Sequence, residues 1–171
     1  KLLFTRIAAK DLPVMDGVAE GGKADPYILF YSDPPEILLT TKTTKSKSSK
    51  HEVKSRTIRK TLYPEWKEEI PMWFNVAEPE ELVGAHLILK FMDYDWGYHN
   101  ADDLIGVVIL SIADMVKEQE QFGTFSFKKP ILRFGQPRGI ASGTGRFELD
   151  GEGMNRFTMA AKGDKKKCVV S

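Results

Sequence analysis

The sequence has one cysteine, Cys168, so no disulfide can form within the chain, and a reducing, cytoplasmic setting is favoured. No run approaches the roughly 20 apolar residues that a membrane-spanning helix requires. No signal peptide is recognised at the start of the sequence. The formal net charge is only +1, which argues against a dedicated nucleic-acid binder.

A recognisable catalytic arrangement is also lacking. The three histidines, His51, His86 and His99, are scattered, and no serine or cysteine sits in a nucleophile motif. The segment GVAEGGKA has the glycine spacing of a phosphate-binding loop, but Ala24 replaces the required hydroxyl residue and Pro26 forbids the following helix. We therefore predict that the protein is not an enzyme.

The apolar pattern is strand-like throughout the first 150 residues. Short runs rich in β-branched and aromatic residues alternate with turn formers, which predicts an all-β sandwich. These runs are LLFTRIA, YILFY, EVKSRTI, EEIPMWF, HLILKFM, LIGVVIL, TFSFKKPIL and GRFEL. HLILKFM is apolar at almost every position and is predicted to be a central strand covered on both faces, while GQPRGIASGTG is interpreted as a hairpin linker.

One helix is predicted in SIADMVKEQEQF, with Ser111 as N-cap and Asp114 as its capping-box partner. The segment TTKTTKSKSSK has no apolar residue and is expected to be a solvated loop. We predict one domain over residues 1–150 and a flexible basic tail over residues 151–171.

Two acidic clusters lie where strands give way to loops. The first holds Asp16 and Asp25, and the second holds Asp93, Asp95 and the Asp102–Asp103 pair. Bunched carboxylates repel each other unless a cation lies among them, and Ca2+ takes 6–8 oxygen ligands in flexible geometry. The alternative is that acidic residues simply favour turns.

The ordered motifs LPVMD, ADPYILF, TLYPEW, FMDYDW and DDLIG resemble the C2 domain from the first residue to about residue 150. The resemblance implies an eight-stranded antiparallel β-sandwich that holds Ca2+ between loops at one end, with anionic phospholipid as the usual partner. By matching motif, the metal ligands would be Asp16, Asp25, Asp93, Asp95 and Asp103. Glu20 is an alternative to Asp16, and Asp102 and Asn100 compete with Asp103.

The same resemblance bears on topology. LLFTRIA opens the sequence with no strand ahead of it, and GRFEL would supply the eighth strand after the linker. This order favours the circularly permuted, type II variant of the C2 fold.

Apolar side chains flank the acidic residues of both loops. Met15, Trp96 and Tyr98 are predicted to insert into a membrane interface, which favours tryptophan and tyrosine. Val14 and Val18 are neighbouring candidates. The alternative is that these side chains pack back onto the end of the sandwich.

Lys54 and Arg56 alternate with uncharged residues and would project from one face of a strand. They resemble the lysine-rich strand with which some C2 domains bind phosphoinositide headgroups. Leu29 and Tyr31 stand on the partner strand where such relatives have lysines. A general attraction to anionic membrane, or a merely solvated face, is therefore the alternative.

The sequence ends in KKKCVVS, which matches the C-a-a-X prenylation pattern at Cys168, with a basic run at residues 165–167. Together these features predict a calcium-dependent module that docks on the cytoplasmic face of an anionic membrane. The alternative is a calcium-insensitive module that binds a protein partner or a phosphoinositide. A lipid-modifying enzyme would need a catalytic constellation that the sequence does not show.

Overall fold

A computed structural model describes residues 1–16, 23–39, 53–74, 79–95 and 101–148 of the protein. Within these ranges, no helix is long and apolar enough to cross a membrane. Two short 3-10 helices lie at Pro35–Ile37 and Pro79–Leu82. The other elements are β1 (Leu2–Lys10), β2 (Pro26–Asp33), β3 (Leu38–Leu39), β4 (Val53–Lys54), β5 (Glu65–Trp66), β6 (Ile70–Phe74), β7 (His86–Asp93), β8 (Asp103–Ser111), α1 (Ile112–Phe122), β9 (Phe125–Arg133) and β10 (Gln136–Phe147).

The strands form one curled antiparallel sheet in the order β3–β6–β1–β10–β9–β8–β7–β2–β4, with β5 also paired to β1. β8 and β9 are joined by the pair Val107 and Leu132, and the two halves of the sheet face each other across the core. Phe4 of β1 lies 5.8 Å from Phe30 of β2, between ring centroids. The predicted antiparallel sandwich is therefore confirmed.

The eight main strands of the prediction can be recognised among the ten. β5 and β6 pair with successive parts of β1 and so act as one interrupted strand, while β3 is a two-residue pairing at the sheet edge. β10 lies antiparallel to β1, with Phe147 opposite Leu2. A last strand beside the first is the arrangement that the permuted topology requires.

The prediction for HLILKFM was half right. β7 is central, between β2 and β8, but its burial alternates along the strand. Leu87, Leu89 and Phe91 are fully buried, whereas Ile88 and Lys90 are partly open to solvent. In a two-layer sandwich each sheet has only one covered face, so apolar residues on the other face remain accessible.

The predicted hairpin linker in GQPRGIASGTG is mostly wrong, because only Gly135 lies in the hairpin turn and the other residues belong to the 12-residue strand β10. Two of its glycines allow aromatic rings of β9 to lie against the backbone. A Cβ atom on Gly143 would lie 2.5 Å from the ring of Phe127, and one on Gly145 would lie 2.5 Å from the ring of Phe125. Close packing, rather than a turn, therefore requires these glycines.

The predicted helix is confirmed as α1. The Ser111 hydroxyl accepts a hydrogen bond from the Asp114 backbone N–H at 3.2 Å, which caps the first turn. Gly123 ends the helix in the left-handed conformation, with φ of 79°. α1 joins the end of β8 to the start of β9.

The strand predicted in EVKSRTI is shorter than expected, since only Val53 and Lys54 pair with β2. Ser55 then ends the regular pairing by bonding through its side chain. Its hydroxyl accepts the Ile28 N–H at 2.8 Å and lies 3.1 Å from the Arg56 carbonyl, to which it donates. The lysine-rich loop before this strand and the predicted tail lie outside the described residues.

Candidate metal centre

Several strand ends meet at one end of the sandwich, which we call the aspartate pole. Asp93, the last residue of β7, pairs with Pro26 at the start of β2 and with Asp103 at the start of β8. α1 lies at the opposite pole, beyond the other end of β8. Antiparallel pairing thus brings both acidic sequence clusters to a common end of the fold.

Three carboxylates converge at the aspartate pole. Asp16, Asp93 and Asp95 each offer an oxygen, and these oxygens lie within 4.8 Å of one another. Two oxygens bound to one Ca2+ ion at 2.3–2.6 Å are at most about 5 Å apart. The separation therefore fits a shared divalent cation, to which Asp16 comes from a loop far in sequence from Asp93 and Asp95.

Backbone hydrogen bonds hold Asp16 in place. The N–H groups of Met15 and Asp16 both donate to the Lys23 carbonyl, at 3.2 and 2.8 Å. On the other side, the Ala24 carbonyl accepts the Thr61 N–H at 2.9 Å. These bonds close the base of the first loop and direct Asp16 toward the end of β7. Glu20, the alternative ligand, lies outside the described residues.

Asp25 connects the first acidic cluster to the second. Its backbone N–H donates to Asp93 Oδ1 at 2.6 Å, and its carbonyl accepts the Tyr94 N–H at 3.1 Å. Its own carboxylate accepts the Lys60 backbone N–H at 2.5 Å. Asp25 therefore lies beside the three-carboxylate cluster, with one carboxylate oxygen already bonded to the neighbouring loop.

The Asp102–Asp103 pair divides into two environments. Asp102 accepts a hydrogen bond on each oxygen, from the Tyr27 hydroxyl at 2.6 Å and from the Asp95 N–H at 3.2 Å. Asp103 is exposed and lies opposite Asp93 in the β7–β8 pairing. Asp102 thus braces the loop, which leaves Asp103 as the more accessible carboxylate. Asn100 lies outside the described residues.

Tyr27 holds Asp102 in place, a role that was not predicted from the sequence. Its side chain is 3% exposed, and the Lys54 Nζ lies 3.7 Å from the centre of its ring. The position directly after the Asp-Pro pair was the only sequence sign of this role. The register that brings Tyr27 to Asp102 could not be read from the sequence.

The electrostatics of Asp93 favour a cation. Its side chain is 1% exposed, and burial raises its pKa from 3.8 to about 6. Repulsion by the carboxylates of Asp16, Asp95 and Asp25 is part of this increase in pKa, and the hydrogen bond from the Asp25 N–H opposes it. A buried carboxylate among like charges is costly when ionised, and a bound cation would relieve that cost.

The apolar residues predicted to insert are only partly covered by the structure. Met15 is partly buried and packs against the hydrophobic core, whereas Val14 is 55% exposed. This packing does not favour insertion of Met15 and makes Val14 the outward side chain of the pair. Trp96 and Tyr98 lie outside the described residues.

Lys54 and Arg56 are both exposed, with buried Ser55 between them. Only Lys54 belongs to β4, so Arg56 lies beyond the strand from which both were predicted to project. Arg56, however, forms an ion pair with Glu68, which also accepts the Arg56 backbone N–H at 2.9 Å. Both cations line an open groove of about 450 Å³ that Glu68 and Glu69 line as well. The negative charge of these glutamates offsets the positive charge of Lys54 and Arg56 and does not favour a binding site for phosphoinositide headgroups.

Three comparisons place the chain among known proteins. It is 33% identical over 113 residues to Synaptotagmin-11 of Rattus norvegicus. The matched region covers 66% of this chain but only 22% of that protein. A C2 domain of plant Extended Synaptotagmin 1 has a TM-score of 0.55 at 20% identity, covering 86% of this chain and 96% of that one.

Human GIVD cytosolic phospholipase A2 has a TM-score of 0.58 at 17% identity, covering 88% of this chain and 16% of the enzyme. At these identities the two structures show a shared fold only. The C2 domain family model matches residues 1–127. Together with the sandwich and its aspartate pole, this match shows that the chain belongs to the C2 domain family.

Proposed function

We propose that this C2 domain docks on anionic phospholipid membrane when its aspartate pole binds Ca2+. Members of the family bind phospholipid membranes and proteins. The observation that carries the calcium dependence is the convergence of Asp16, Asp93 and Asp95 within 4.8 Å.

The donor set suits Ca2+ better than a softer metal. The ligands are carboxylates on irregular loops, with neither histidine nor cysteine in the cluster. Asp16, Asp93 and Asp95 would hold the ion, with Asp25 and Asp103 adding oxygens from either side. When bound, Ca2+ would cancel the negative charge of the pole and offer coordination positions to phosphate oxygens.

The protein's own residues supply the rest of the docking. Without a cation, the carboxylates of the pole repel anionic lipid. The 2.6 Å hydrogen bond from the Tyr27 hydroxyl holds Asp102 beside β2. We infer that Trp96 and Tyr98, together with exposed Val14, enter the interface beside the acidic cluster.

A second membrane signal is proposed at Cys168. If Ser171 ends the mature chain, KKKCVVS is a farnesylation site, which would place the protein on the cytoplasmic face of a membrane. One lipid chain gives only marginal membrane binding, so a second attachment through the C2 domain would be needed. Mass spectrometry of the full chain from eukaryotic cells should show a farnesyl adduct that Cys168→Ser removes. An unmodified wild-type chain would rule it out.

Vesicle co-sedimentation tests the proposed function. The protein is mixed with phosphatidylserine–phosphatidylcholine vesicles, or with phosphatidylcholine vesicles alone, in calcium or in EGTA. Sedimentation is expected only with the anionic vesicles in calcium, and it should be lost in the double variant Asp93→Asn, Asp95→Asn. Asp114→Asn is the matched control, because Asp114 is an exposed residue of α1 at the opposite pole.

Equal sedimentation in calcium and EGTA would contradict the proposal. It would favour the alternative, a calcium-insensitive module that uses Lys54 and Arg56 or binds a protein partner. In that case Lys54→Ala should lower sedimentation, because Lys54 is an exposed cation on the groove face.

A further inference from the structure

The hairpin between β9 and β10 has an unusual turn. Arg133 pairs with Gln136, so the turn consists of Phe134 and Gly135 alone. Both have positive φ, at 51° and 76°, as a type I′ turn requires. Asparagine, aspartate or glycine normally fills the first position, since other side chains are strained there.

Phe134 is also the most exposed of the large hydrophobic side chains described, at 90%. It makes no packing contribution to the core that would offset its backbone strain. An Asn-Gly turn would suit the same hairpin better. A strained backbone conformation that no packing contact of Phe134 offsets indicates a function for the Phe134 side chain.

The hairpin projects from the aspartate pole. Ile140 pairs with Lys10, the last residue of β1, so Phe134 lies beyond the end of β1. A Cβ atom on Gly139 would lie 2.7 Å from the Lys10 carbonyl oxygen and 3.1 Å from that of Asp11. The base of the hairpin therefore packs against the start of the loop that carries Asp16.

The charge of this hairpin is opposite to that of the acidic cluster. Residues 125–145 contain four basic residues and no acidic one. Arg133 lies 5.7 Å from the centre of the Phe134 ring, and Arg138 is exposed on the next strand. An aromatic tip flanked by arginines matches the interface of an anionic bilayer, where the ring meets acyl chains and the guanidinium groups meet phosphates.

We propose that the β9–β10 hairpin is a second membrane contact in which Phe134 inserts into an anionic bilayer while Arg133 and Arg138 contact lipid phosphates. The inference rests on the proposed function in one respect, that the aspartate pole faces the membrane. Because the charges of the hairpin are fixed, its own contacts with lipid involve no calcium ion, and they strengthen the calcium-dependent docking of the aspartate pole.

The variant Phe134→Asn tests this contact. It creates the preferred Asn-Gly turn, so the urea midpoint of the folded protein should be unchanged or higher. Its partition coefficient on phosphatidylserine vesicles should nevertheless fall about tenfold, the effect of withdrawing one largely buried phenylalanine. Phe122→Asn is the matched control, because Phe122 is 68% exposed at the end of α1 on the opposite pole.

The outcomes separate the two proposals. Calcium-stimulated binding with equal partitioning of Phe134→Asn and wild type would overturn the hairpin contact and leave the proposed function standing. Binding that ignores calcium but falls in Phe134→Asn would overturn the calcium dependence and support the hairpin. Absence of binding in calcium and in EGTA would overturn both, and an equal loss in Phe122→Asn would overturn the assignment of the contact to the hairpin.

Discussion

Replacing Asp93 with asparagine should stabilise the metal-free protein while weakening its calcium site. Asp93 is buried, and its Oδ1 accepts the Asp25 N–H at 2.6 Å. An asparagine oxygen can accept the same bond. The substitution therefore removes a buried negative charge from among Asp16, Asp25 and Asp95 and leaves the hydrogen bond in place.

The raised pKa of Asp93 sets the size of this stability change and its pH dependence. Because the folded pKa of about 6 lies above the ordinary 3.8, the folded state binds the proton more tightly than the unfolded state. The stability that the folded state gains by binding this proton is fully present below pH 3.8 and is lost as the pH rises through about 6. At pH 7.5 ionised Asp93 lowers the free energy of unfolding by up to about 3 kcal/mol, because each tenfold difference in proton affinity corresponds to about 1.4 kcal/mol.

Urea denaturation in EGTA provides the assay. At pH 7.5, Asp93→Asn should raise the free energy of unfolding by about 1–3 kcal/mol, and at pH 4 the difference from wild type should nearly vanish. Calcium at 100 times its Kd should cancel most or all of this difference, since it adds about 2.7 kcal/mol to the stability of wild type. An Asp93→Asn protein that is less stable than wild type in EGTA at pH 7.5 would refute the reasoning.

Three further substitutions test the packing and bracing of the fold by urea denaturation. Gly145→Ala should lower the free energy of unfolding by about 2–3 kcal/mol, because the new Cβ would lie 2.5 Å from the Phe125 ring and 2.6 Å from the Leu3 carbonyl oxygen. An unchanged free energy of unfolding would contradict this packing. Ser111→Ala should cost about 1 kcal/mol through loss of the α1 N-cap, and no change would mean that the cap is not formed. Tyr27→Phe removes the hydroxyl donor to Asp102 and should lower the free energy of unfolding by about 1.5 kcal/mol. A stability equal to that of wild type would contradict this role.

The sequence predicted the parts of the fold that local patterns specify. Alternating apolar runs marked the main strands, and Ser111 with Asp114 marked the start of α1. The meeting of the acidic clusters could also be foreseen, because each lies at a strand boundary and antiparallel strands bring such boundaries together.

Features that depend on register between distant segments could not be foreseen. The glycines of β10 look like a linker in the sequence, because only the position of Phe125 and Phe127 on β9 reveals why these residues are small. The two-residue turn at Phe134 and Gly135 likewise follows only from the pairing of Arg133 with Gln136. The ion pair of Arg56 with Glu68 likewise depends on how the segment after β4 packs against the segment after β5, and it changes the charge of the groove.

Calorimetric titration with CaCl2 is the most direct test of the claim that the aspartate pole is a calcium site. Wild type should bind with micromolar to submillimolar affinity. The double variant Asp93→Asn, Asp95→Asn should give no binding heat, and Asp114→Asn should bind like wild type. Absence of heat with the wild-type protein, or an unchanged affinity in the double variant, would contradict the account.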